Sequence, residues 1–159
     1  DVVSNVFTKK LGDTSIYQPY HDQRYPDLIH KAVPIGLEVK ASNKPMKGGE
    51  GHNGHSGWHI VVCYHILPIG DIEFTHVEIA ELNGFGHPDS DWKYCGSKRN
   101  KNDSQRTETY MTNSIGTAKL RDGSVYLNLE HVNITPHLRH RRKKSSDLLP
   151  IPSFSPFAG

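Results

Sequence analysis

The chain has 159 residues, enough for one hydrophobic core and too few for two ordinary domains. Only 35% of the residues are hydrophobic and the mean hydropathy is -0.62, which excludes a thick multilayer fold and leaves much of the chain as loop, exposed strand face or ligand-facing surface. Lys and Arg number 19 against 17 Asp and Glu, a formal charge of +2 that neither demands nor excludes a polyanionic partner, so the distribution of charge has to decide.

In chain order, residues 1–24 show no sustained periodicity, although 4–11 has the apolar spacing for one or two helical turns with Val6, Phe7 and Leu11 facing inward. The first residue is Asp1 rather than Met, which is compatible with a processed or excised piece of something longer. From Tyr25 the pattern changes to short apolar runs divided by Pro and Gly, which predicts strands over 27–32, 36–41, 58–67 and 74–82 in a mixed or antiparallel sheet. Pro34 and Gly36 separate the first two closely enough for hairpin-like pairing, and 44–57 is a Gly-rich loop. The polar stretch 83–113 reads as a long functional loop. Asp122-Gly123 between Leu120 and Val125 predicts a hairpin over 118–128. The end of the chain joins a basic run, 139–144, to a tail with Pro150, Pro152 and Pro156. These readings divide the chain into a single domain over 1–138 and a basic, then Pro-rich, extension over 139–159.

Cys63 and Cys95 are the only cysteines, too few for a disulfide scaffold, and a reducing cytoplasm fits best. No apolar run approaches the roughly 18 residues of a membrane span, and the N-terminus lacks a signal-peptide pattern. Asn102-Asp103-Ser104 and Asn133-Ile134-Thr135 match the glycosylation sequon, and without a secretion signal they carry no weight.

The sharpest chemical feature is Pro26-Asp27, then ten residues, then Glu38-Val39-Lys40 inside the predicted strand over 36–41. Side chains alternate along a strand, so Leu37, Val39 and Ala41 can face a core while Glu38 and Lys40 project together from the other face, where Asp27 on the neighbouring strand can join them. Two carboxylates and an amine suit phosphodiester hydrolysis. Hard oxygens from Asp27 and Glu38, with the Val39 carbonyl, would hold Mg²⁺ or Mn²⁺, which neutralises phosphate charge and acidifies a bound water. An ammonium at Lys40 would orient that water and stabilise charge developing on the phosphorus oxygens.

In Pro26-Asp27 and Glu38-Val39-Lys40 the chain resembles the PD-(D/E)XK nuclease superfamily, with the likeness covering about a third of the chain from Tyr25 to roughly Leu82. The resemblance implies an α+β, sheet-dominated restriction-endonuclease-like domain with a central mixed β-sheet, few helices and, from the pattern over 118–128, a C-terminal β-hairpin. It also implies divalent-metal cleavage of double-stranded DNA, of the sequence-specific restriction type, with Asp27 and Glu38 as metal ligands and Lys40 as the catalytic lysine. Members usually carry a helix before the first motif strand, often with a further acidic residue; in this chain 1–24 offers a weak candidate helix with Asp13 and Asp22. Double-strand cutting commonly uses two active sites, which admits a homodimer.

Two further clusters accompany the motif. His52, His55 and His59 fall within eight residues and read either as a polar loop over the metal site or as zinc ligands, although Cys63 and Cys95 lack the close pairing of structural zinc sites. Lys93, Lys98, Arg99, Lys101 and Arg106, interspersed with Trp92 and Tyr94, suit phosphate contacts, as do Lys44 and Lys47. The run over 139–144 would add sequence-blind affinity. Beside the nuclease, two readings stay open: a non-catalytic DNA-binding module of the same fold, and a zinc-stabilised interaction domain.

Overall fold

The computed structural model describes residues 2–20, 25–44, 46, 50–52, 54–99 and 106–159, with side chains at all of these except 50–52, 98, 99, 106 and 107. Within them the elements run α1 (Val2–Gly12), β1 (Tyr17–Pro19), β2 (Leu28–His30), β3 (Gly36–Ser42), β4 (Glu50–His52), β5 (Gly57–Ile66), β6 (Ile72–Leu82), β7 (Trp92–Arg99), β8 (Arg106–Thr112), α2 (Ser114–Asp122), β9 (Ser124–Leu127) and α3 (Thr135–Lys143). The class is α+β. A mixed six-stranded sheet has the order β1-β2-β3-β5-β6-β9, and a smaller sheet the order β4-β8-β7. β3 and β5 are parallel, with Glu38 opposite His59 and Lys40 opposite Val61, and the other pairs are antiparallel.

Strand alternation explains the layers. Leu28, Leu37, Val39, Ile60, Val62 and Val77 form a core on one face of the large sheet, closed by Phe7 and Leu11 of α1. Val61, Cys63, Ala80 and Leu82 point to the other face and pack with Trp92, Tyr110 and Leu120 from the small sheet and α2. β5 is buried from both sides, which is why it reads as a nearly unbroken apolar run. Parallel strands need a crossover, and here the chain between β3 and β5 passes through β4 of the small sheet.

The strands predicted over 27–32, 36–41, 58–67 and 74–82 correspond to β2, β3, β5 and β6, and β2 and β3 pair as a hairpin. Other expectations are corrected. In α1 the inward stripe is Val3, Phe7 and Leu11, spaced four apart, and Val6 is 54% exposed. The stretch 83–113 is not a long loop: β7 and β8 form an antiparallel ribbon within it, with Trp92 and Tyr110 inward and polar residues outward.

The expected C-terminal hairpin over 118–128 is absent. Asn113 caps α2, its side chain accepting from the Ile115 and Gly116 N–H groups, and β9 then pairs with the edge of β6. The basic run lies on α3, whose His137 and Arg141 both donate to Asp122 Oδ1 at 3.0 Å. Arg141 also donates to the Leu149 carbonyl at 2.8 Å, and Phe157 meets the His137 ring edge-on, so the Pro-rich tail is fastened to the fold. Among the described residues no helix is long and apolar enough to cross a membrane.

Candidate active site

Asp27 immediately precedes β2, and the β2–β3 hairpin carries it to the middle of β3. Its Oδ2 accepts the Val39 N–H at 2.7 Å. In a strand the N–H and C=O of one residue point to the same edge, so the Val39 carbonyl is directed to the side on which Asp27 lies. Glu38 and Lys40 leave the opposite face of β3 from the buried Leu37 and Val39. Lys40 Nζ donates to Glu38 Oε1, while Glu38 Oε2 is buried without a hydrogen-bond partner. Glu38 is the more enclosed of the pair, its side chain 12% exposed against 31% for Lys40.

Burial raises the Asp27 carboxyl above its usual range against the pull of the Val39 hydrogen bond, and the charge of Glu38 adds to the rise while Lys40 and His59 lower it. Asp27, Glu38 and Lys40 therefore share one electrostatic neighbourhood. The Val39 carbonyl and two carboxylates supply hard oxygen donors, and the bare Glu38 oxygen fits a divalent cation, which would satisfy it.

Aromatic and imidazole groups wall this cluster. The Tyr25 hydroxyl donates to the Ser56 carbonyl, and burial followed by the Glu38 charge pushes its pKa to about 12. Gly57 has φ 119°, and a Cβ there would stand 2.5 Å from the Tyr25 hydroxyl oxygen, so the close approach requires glycine. The Tyr25 ring stacks on His55 at 4.2 Å, and Trp92 Nε1 donates to the His55 carbonyl at 3.1 Å. His59 sits beside Glu38 in the register and packs edge-on against Trp92. Its Nδ1 donates to the Gly57 carbonyl at 2.8 Å, leaving Nε2 as an acceptor. Burial depresses its pKa to about 4, with Lys40 and His55 contributing and the Gly57 bond opposing.

The structure thus brings Asp27, Glu38, Val39 and Lys40 together, with His55 and His59 at their border. Tyr25 was not among the residues singled out from sequence, and its adjacency to Pro26-Asp27 was the only signal for it. Among the described residues His55 and His59 belong to no convergent group of three metal-ligating side chains. His52 lies on β4 with its side chain outside the described residues.

The expected phosphate-contacting cations scatter. Lys44 is exposed after β3. Lys93 is exposed on β7 and borders a cavity of about 390 Å³ shared with Asn113, Thr117, Arg121 and His140. Lys98 and Arg99 on β7 and Arg106 on β8 occupy the far end of the ribbon, where Arg99 and Arg106 are register partners. Their side chains, and the whole of Lys47 and Lys101, lie outside the described residues. Comparisons of the chain with family models, with curated proteins and with solved structures find no match.

Proposed function

We propose that the domain is a divalent-metal-dependent endonuclease of the PD-(D/E)XK, restriction-endonuclease-like kind, cleaving double-stranded DNA in a sequence-specific manner. The observation that carries this reading is the buried, unpartnered Glu38 Oε2 beside Asp27, with Lys40 on the same strand face. The β2–β3 hairpin followed by the parallel β5 supports it as the scaffold.

Asp27, Glu38 and the Val39 carbonyl would hold Mg²⁺ or Mn²⁺. When bound, the ion neutralises phosphate charge and lowers the pKa of a coordinated water. Lys40, already drawn to Glu38, orients the attacking water and stabilises negative charge on the phosphorus oxygens. Asp27 and Glu38 repel one another when both are ionised, so the site favours the cation it would hold. Tyr25, His55 and Trp92 restrict water on one flank. A two-stranded antiparallel ribbon such as that of β7 and β8 is an element that a DNA major groove admits, and basic residues stand at its far end.

The test is incubation with supercoiled plasmid and linear duplex DNA, unmodified and modified, with Mn²⁺, Mg²⁺ or neither. Metal-dependent cleavage is expected, and Asp27→Asn and Lys40→Met should each slow it by at least about 100-fold. Linear product formed without a nicked precursor would indicate two chains acting together as a homodimer. DNA binding with no cleavage under any metal would overturn the proposal in favour of a non-catalytic module.

A further inference from the structure

A second convergence of ligand-type side chains lies inside the fold on the same face of the large sheet. Cys63 on β5 and His76 on β6 are register partners, and Glu78 follows two places along β6, so the three side chains leave one face. Val61, opposite both Lys40 and Glu78, stands between this group and the candidate active site. All three residues are 0% exposed. One sulfur, one imidazole nitrogen and one carboxylate oxygen lie within 4.8 Å of one another.

The hydrogen bonds fix the protonation pattern of His76. Ser124 Oγ donates its single hydrogen to the Arg121 carbonyl at 2.6 Å, so it can only accept from His76 Nε2 at 2.5 Å. Nε2 therefore carries the hydrogen and Nδ1 presents a bare lone pair. That Nδ1 is 3.8 Å from Glu78 Oε2, beyond hydrogen-bonding distance, and neither atom has a hydrogen-bond partner, nor has Glu78 Oε1. At that separation no proton is shared between Nδ1 and the Glu78 carboxyl group. Arg121 acts electrostatically on both Glu78 and Cys63, but its Nε and Nη2 donate to the Met46 carbonyl. A cation bound between them would satisfy the Nδ1 lone pair and the Glu78 oxygens at once, with the Cys63 sulfur within reach.

We propose that Cys63 Sγ, His76 Nδ1 and Glu78 bind a structural zinc ion. Sulfur with nitrogen selects a borderline-soft divalent metal over magnesium, and the two bare Glu78 oxygens can close a four-coordinate shell by binding together. A thiolate and a carboxylate cancel the charge of the ion, as a buried site requires. The ion ties β5 to β6 where the ladder slips register, immediately after Cys63. Ser124 is a positioning residue, holding His76 by the nitrogen that faces away from the metal.

Metal analysis of the purified full chain, dialysed against a weak chelator and then supplied with zinc, tests this. The wild type is expected to retain a single zinc ion, as are Asp27→Ala and His131→Ala, while Cys63→Ser and Glu78→Gln lose it. Ser124→Ala, which keeps every ligand, should weaken zinc affinity by about 10–100-fold. Cobalt exchanged into the wild type should show thiolate-to-cobalt charge-transfer absorption, a readout that requires no variant to fold. A wild type that binds no zinc, or cobalt without that absorption, overturns the proposal. So does zinc lost on changing Asp27, or on changing His131, which with His65 and Glu73 forms the other convergent group among the described residues.

Discussion

His59 is 3% exposed and hydrogen-bonded through Nδ1, so the fold holds it neutral while the unfolded chain protonates it near pH 6.5. Between that value and about 4, its folded-state pKa, the unfolded state binds the extra proton. Its contribution to stability is therefore present above the unfolded pKa and lost as pH falls. His59→Asn keeps a donor for the Gly57 carbonyl and removes the titration. Urea unfolding at pH 7 and pH 5 should show the wild type losing about 2 kcal/mol more than this variant. Parallel pH profiles for the two proteins would refute the buried, neutral assignment. At this scale the sequence was informative where chemistry followed strand alternation: Glu38 and Lys40 were legible because Leu37 and Val39 mark the opposite face. Cys63, His76 and Glu78 were not, because their meeting depends on the register of β5 on β6, which no local pattern encodes.

At the scale of elements, α2 was the least legible, and its burial shows why. Gly116, Ala118, Leu120 and Asp122 are buried at every second position, the period of a strand, because this short helix packs against β6, β8 and α3 together. Asp122-Gly123 then resembles a hairpin turn. Gly123 instead ends the helix with an unexceptional φ of -83° and is required by proximity: a Cβ would lie 1.7 Å from the Ile79 carbonyl oxygen of β6. The Gly123 carbonyl also accepts from Ile79 N–H at 2.8 Å, fixing the two backbones together. Gly123→Ala should cost about 2–4 kcal/mol in urea unfolding through forced separation of α2 from β6. An unchanged midpoint would mean that the helix end does not sit against β6. β5 and β6, ten and eleven residues long, left no such ambiguity.

For the whole molecule, the net charge of +2 conceals an uneven distribution. Arg141 is spent on Asp122 and the Leu149 carbonyl, but Arg139, Arg142 and Lys143 are exposed and, spaced three and four apart, share one face of α3. Lys93 and Arg121 line the cavity bordered by β7, α2 and α3, so two cationic side chains stand between the ribbon and the helix. Composition could not reveal this, because it does not show that some acidic residues are withdrawn into the fold: Glu78 and Asp122 are buried, and buried Asp91 is held by Lys119. If DNA lies along that surface, changing Arg139, Arg142 and Lys143 together to Ala should reduce the slope of log affinity against log salt by roughly 2–3. The loss of affinity should be equal for all DNA sequences, and the cleavage rate at saturating DNA should stay unchanged, because these residues are not part of the Asp27–Glu38–Lys40 cluster. An unaltered salt slope would remove α3 from the interface and leave the β7–β8 ribbon as the surface to test.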